Sequence, residues 1–129
     1  MRSSRILIVD DSRDNADSMA MLLGLDGHET WTANDGNEAV ARATELAPDI
    51  MLLDIGLPGM SGYEVCQAVR KLPTGSGILI IALSGWGQAA DKQRALDSGF
   101  DEHLTKPVEH GELVRIMETL TRSRASQAG

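Results

Sequence analysis

Five polar side chains stand where short apolar runs of the sequence stop. Asp10 and Asp11 follow Ile6-Leu7-Ile8-Val9, and Asp54 follows Ile50-Met51-Leu52-Leu53. Ser84 follows the run from Ile78 to Leu83, and Lys106 lies just beyond the weaker run Glu102-His103-Leu104. Three carboxylates gathered in one place repel one another and recruit a cation. Their oxygens suit Mg²⁺, a hard ion that takes octahedral oxygen ligands and keeps waters. An ammonium beside such an ion can organise an incoming phosphoryl group. A carboxylate is itself a nucleophile toward phosphorus, giving an aspartyl-phosphate. Asp54 stands alone between its apolar run and the turn sequence Gly56-Leu57-Pro58-Gly59, which makes it the acceptor candidate. Taken singly, each residue has an ordinary explanation: Asp-Asp after a strand is turn and cap chemistry, and Lys-Pro is common in loops. Their joint occurrence at the ends of apolar runs carries the chemical reading.

The elements that must position these groups alternate along the chain. Strands are predicted at Arg5–Val9, Glu29–Ala33, Ile50–Leu53, Ile78–Leu83 and, weakly, Glu102–Leu104. Three of them are continuously apolar, as strands covered on both faces are, while Glu29–Ala33 alternates and reads as an edge strand. Helices are predicted at Asp14–Leu25, Glu38–Leu46, from a Ser61 cap to Leu72, at Gln88–Ser98 and at Glu109–Thr121. Ser61 with Glu64 forms a capping-box pattern. Five strands alternating with five helices give a (βα)5 doubly wound α/β fold with a parallel five-stranded sheet. Ligands in such folds sit at the carboxyl ends of the strands, where the polar residues collect.

Composition narrows the function. The chain has 129 residues and 19 acids against 12 bases, a net charge of −7. That size points to one domain, with residues 122–129 as a short polar C-terminal tail. An acidic chain without a basic run argues against nucleic acid as the partner, and only four aromatics are present, Trp31, Tyr63, Trp86 and Phe100. The single Cys66 allows no internal disulfide, so a reducing, cytoplasmic setting is expected. No apolar run reaches a membrane span and no signal-peptide pattern opens the chain, so no membrane contact is expected. Cys66, Met19, Met21, Met51 and Met117 read as core filler, His28 as structural and His110 as solvated. No G-x-G-x-x-G or Walker pattern is present, and no zinc-ligand spacing.

Four stretches, in this order and spacing, resemble the receiver domain of two-component response regulators. They are Ile8-Val9-Asp10-Asp11, Leu52 to Gly62, Ala82-Leu83-Ser84-Gly85 and Leu104-Thr105-Lys106-Pro107. The resemblance covers about residues 5–121 and, more weakly, favours receivers of hybrid sensor histidine kinases. It implies a flavodoxin-like receiver fold over residues 1–121 with strand order 2-1-3-4-5 and a cis Lys106-Pro107 bond. It implies that Asp54 accepts phosphate from a phosphohistidine. Asp10, Asp11, Asp54 and the backbone carbonyl of Gly56 would serve Mg²⁺, Lys106 would pair with a phosphoryl oxygen, and Ser84 would turn inward to it. The implied donors are a histidine kinase or a histidine phosphotransfer protein. The implied output is a shifted protein-interaction face around the fourth and fifth predicted helices, meeting a downstream protein.

One position departs from the family pattern. Tyr or Phe is expected three residues before the lysine, and this chain has His103. Either His103 swings as the aromatic ring does, or it stays outward and pH-sensitive. The chain is expected to be a lone receiver, monomeric or weakly dimeric, and a switch rather than an enzyme turning over a metabolite. The candidate contact surfaces are the first helix, for the phosphodonor, and the face near His103. Trp86, two residues past Ser84, is expected to report Mg²⁺ or phosphate through its fluorescence. Two other classes fit less well. A small aspartyl-phosphate phosphatase needs a general acid where Gly56 stands, and an FMN carrier would set its phosphate against three acids.

Overall fold

Strands covered on both faces have no polar side to show, and the three apolar runs behave in that way. In the computed structural model, which describes residues 3–85 and 97–128, β1 is Arg5–Val9, β2 Glu29–Ala33, β3 Ile50–Asp54, β4 Leu79–Ser84 and β5 Glu102–Thr105. Every residue of β3 and β4 is buried. The helices among the described residues are α1 (Arg13–Leu25), α2 (Gly36–Leu46), α3 (Gly62–Arg70) and a C-terminal helix (His110–Ala128). The sheet is parallel throughout, in the order β2-β1-β3-β4-β5, as the family resemblance implies. The alternating strand, β2, is indeed at an edge.

Alternation along the strands splits the core into two layers. Leu7, Val9, Met51, Leu53, Ile80 and Ala82 pack toward Val65, Cys66 and Val69 of α3. Ile6, Ile8, Leu52, Ile81 and Leu83 pack toward Ala16 and Leu23 of α1 and Leu113 and Met117 of the C-terminal helix. Each side chain of this kind contributes roughly 1.5–3 kcal/mol by leaving water, and the layers together hold the strand ends in one row.

Local signals set the helix starts. Asp35 caps α2 by accepting from the Glu38 amide at 2.8 Å, and Ser61 and Glu64 form the expected capping box on α3. The C-terminal helix differs from the sequence reading, which ends it at Thr121 and expects a loose tail. Helix continues to Ala128, because Arg, Ala and Gln are good helix formers and no Gly or Pro interrupts residues 122–128. Of the predicted helix Gln88–Ser98 only Asp97 and Ser98 are described; the rest, and Trp86 with it, lies outside the described residues. No described helix is long and apolar enough to cross a membrane.

Several residues read as core filler or as solvated have definite settings. Met51 and Met117 are in the core, whereas Met21 is 63% exposed on the outer side of α1, so it is not core filler. Cys66 is fully buried, and burial pushes its thiol up to about 11, which leaves it a packing residue. His110 is not simply solvated: its Nε2 pairs with Asp26 Oδ2 at 2.8 Å, joining the end of α1 to the start of the C-terminal helix.

His28 is buried at the turn from α1 to β2, where its Nδ1 accepts from the Ser4 amide at 2.9 Å. Its Nε2 has no partner among the described residues. Burial lowers its pKa, Asp26 opposing the shift in part. The unfolded chain therefore binds a proton near pH 6.5 that the folded chain refuses, so His28 costs nothing above that pH and destabilises the fold progressively below it. Urea unfolding of wild type and His28→Gln at pH 7.5 and 5.5 checks this. Wild type should lose more stability on acidification than the variant, and equal losses would contradict it.

Candidate functional site

The carboxyl ends of β1, β3, β4 and β5 deliver their polar residues to one cleft. Asp10 follows β1, and its amide donates to the Ala33 carbonyl at 3.1 Å, continuing the ladder past the strand. Asp54 is the last residue of β3, with Leu83 of β4 as its register partner. Asp10, Asp11 and Asp54 each offer a carboxylate oxygen within 4.8 Å of the others. Asp10 and Asp54 are buried, at 4% and 6% exposure, and Asp11 faces solvent.

Lys106 enters from the loop after β5, where its amide donates to the Ser84 carbonyl at 2.7 Å and its bond to Pro107 is cis. Its Nζ donates to Asp10 Oδ2 at 2.9 Å and to Asp54 Oδ2 at 3.2 Å. Burial by itself would lower the Lys106 pKa, but the hydrogen bond it donates to Asp10 and the charges of both carboxylates more than offset it, and the pKa is raised. The ammonium is thus a fixed positive charge between two acids.

Backbone groups aim the carboxylates. Ser12 N–H donates to Asp10 Oδ1 and Gly56 N–H donates to Asp54 Oδ1, both at 2.9 Å. Ser84 closes β4 with only 1% exposure, and its Oγ lies 2.9 Å from His103 Nε2. The His103 ring is turned toward Ser84. Beside the acids a groove of about 470 Å³ runs between α1 and the C-terminal helix, lined by Asp10, Met19, Leu22, Lys106, Val108 and Leu113 among others.

The donor set fits Mg²⁺. Three carboxylates face one ammonium, a formal surplus of two negative charges (3 − 1), and every offered ligand atom among the three acids is a hard oxygen.

These placements are matched by sequence comparison, in which the model of the response regulator receiver domain aligns with residues 6–118. The chain belongs to the response regulator receiver family. The receiver is 38% identical over 120 residues to the DNA-binding response regulator MtrA of Mycobacterium tuberculosis, covering 92% of this chain and 51% of MtrA. It therefore spans about half the length of that relative. Among solved structures, a CheY-like receiver domain protein from Methanospirillum hungatei superposes with a TM-score of 0.88 at 28% identity, covering 98% of this chain and 99% of the other. The receiver domain of the sensor histidine kinase PA1611 from Pseudomonas aeruginosa has a TM-score of 0.82 at 30% identity, over 92% of this chain and 97% of the other. That structure has a magnesium ion coordinated in its active-site cleft. Kinase-borne and regulator-type receivers thus both stand among the neighbours.

Of the residues named from the sequence, Asp10, Asp11 and Asp54 cluster, Lys106 contacts Asp10 and Asp54, and Ser84 pairs with His103 at the end of β4. Asn34 touches the backbone of this cluster, although nothing in the sequence singles it out. Its Nδ2 donates to the Asp10 carbonyl at 3.0 Å, and its amide donates to Glu38 Oε1 at 2.7 Å. Asn34-Asp35 after an edge strand reads only as turn and cap; the link to Asp10 depends on β1 and β2 being neighbours.

Proposed function

We propose that this receiver accepts a phosphoryl group on Asp54 from a phosphohistidine and so acts as a switch in a two-component phosphorelay. An Asp54 oxygen forms the new O–P bond as the P–N bond to the donor imidazole breaks, and the leaving nitrogen keeps the electron pair and takes up a proton. Asp10, Asp11, Asp54 and the Gly56 carbonyl would hold Mg²⁺, which would supply charge neutralisation for the transferring group. Lys106, already between Asp10 and Asp54, would take a phosphoryl oxygen as its partner. The Ser84 hydroxyl would turn from His103 to the phosphoryl group, and His103, released, would carry the change to the surface around β5. The observation that carries this reading is Lys106 Nζ held between two buried acids of a three-carboxylate cluster.

The phosphodonor would be a histidine kinase or a histidine phosphotransfer protein. The groove beside the acids supports docking of its histidine-bearing element against α1, where Leu22 is 42% exposed. The acidic charge balance favours a protein target for the output over nucleic acid, and a cytoplasmic setting agrees with the free Cys66. With Gly56 where a phosphatase needs an acid, the chain would govern its own phosphorylation state without turning over a metabolite.

Incubation with acetyl phosphate tests this. Incorporation of acid-labile, hydroxylamine-sensitive phosphate should require Mg²⁺ and stop in EDTA, whereas equal labelling in EDTA would contradict the reading.

A further inference from the structure

We propose that Gly62, the first residue of α3, is a positioning residue for the metal-binding carbonyl at Gly56, an inference that rests on the proposed Mg²⁺ role of Asp54 and Gly56. A Cβ at Gly62 would lie 2.6 Å from the Asp54 carbonyl oxygen and 2.6 Å from Ile55 Cα. Both are backbone atoms, so no side-chain rotation can relieve the contact. The Gly62 amide also donates to the Ile55 carbonyl at 3.0 Å. From the other side, the Ile55 amide donates to the Leu83 carbonyl of β4 at 2.9 Å. Ile55 is thereby clamped between β4 and the start of α3, and Gly56 is the next residue.

This clamp fixes where the acceptor loop leaves the sheet. The Gly56 amide donates to Asp54 Oδ1 at 2.9 Å, so the same peptide region sets both the acceptor carboxylate and the neighbouring carbonyl. A methyl group at position 62 must push Asp54 or Ile55 away from α3 or drive α3 off the sheet. Either movement carries Gly56 with it and opens the ligand set. The bond between the Gly62 amide and Ile55 requires no glycine; the bare Cα against the Asp54 peptide does.

The experiment is isothermal titration of Mg²⁺ into the full chain, with unfolding measured in parallel. Gly62→Ala should weaken Mg²⁺ binding about tenfold or more, the size of effect typical of changes to outer-shell support of a metal site. Val69→Ala, a core truncation at the other end of α3, should lower stability while leaving Mg²⁺ affinity near wild type. A loss of affinity in Gly62→Ala no larger than in Val69→Ala would overturn the inference, because the glycine would then be merely structural. Should Gly62→Ala fail to fold, Ser61→Ala decides. It removes the helix cap and keeps the glycine contact, so near-wild-type Mg²⁺ affinity supports the inference and a tenfold loss overturns it. Asp54→Asn separates this inference from the reading beneath it: if wild type and Asp54→Asn bind Mg²⁺ equally, the metal site itself is misassigned and the inference falls with it.

Discussion

Asp54→Asn is expected to abolish incorporation of acid-labile phosphate from acetyl phosphate or a cognate kinase. The carboxamide oxygen is a far weaker nucleophile than a carboxylate, and Asp54 stands where the family resemblance places the acceptor, between β3 and the Gly56-Leu57-Pro58-Gly59 turn. Asp10 is as buried and has the same kinds of partner, a backbone amide on Oδ1 and Lys106 on Oδ2, but it holds Lys106 more closely, at 2.9 Å against 3.2 Å for Asp54. Asp11 is exposed. The fold should survive the change. Asn has the shape of Asp, the Gly56 amide still finds an oxygen, and Lys106 keeps Asp10 as its partner. Phosphate labelling and a thermal unfolding scan on the same preparation check both halves of the prediction. Retained labelling would remove Asp54 from the acceptor role.

Lys106→Ala is expected to move two quantities in opposite directions. Loss of the ammonium removes a preorganised positive charge aimed at the transferring group, which costs about 10²–10³-fold in phosphorylation rate. The same loss leaves Asp10 and Asp54 without their shared cation, so Mg²⁺ should bind several-fold more tightly, the ion no longer competing with a fixed charge. A purely structural lysine would weaken both together. Stopped-flow phosphorylation and Mg²⁺ titration of the variant distinguish the cases, and a fall in Mg²⁺ affinity would contradict the electrostatic account.

Legibility in the sequence follows from what is local. Apolar runs with no polar face announce β1, β3 and β4, and the first polar residue after each run is where a doubly wound sheet presents its chemistry. Asp10, Asp54 and Ser84 were readable for that reason, and the family resemblance added the order of strands and the cis bond before Pro107. Features that depend on strand register were not. His103 is paired with Ala82 across β4 and β5, which sets its ring diagonally opposite Ser84; no spacing along the chain shows this. Asn34 reaches Asp10 because β2 is the neighbour of β1, and His110 meets Asp26 because α1 and the C-terminal helix share one face. The Met21 side chain illustrates the limit of composition: a methionine among apolar neighbours on a helix says nothing of which side it takes, and this one is outward. The helix through residues 122–128 was missed for the opposite reason, since a polar stretch of good helix formers has no apolar stripe to betray it.

The most direct test of the central claim is to locate the phosphate. Protein treated with acetyl phosphate and Mg²⁺ is reduced with borohydride, which converts an aspartyl-phosphate to homoserine, and is then digested and mapped by mass spectrometry. The account predicts homoserine at position 54 and nowhere else. Homoserine at position 10 or 11, or unmodified Asp54 in protein that has taken up phosphate, would contradict it.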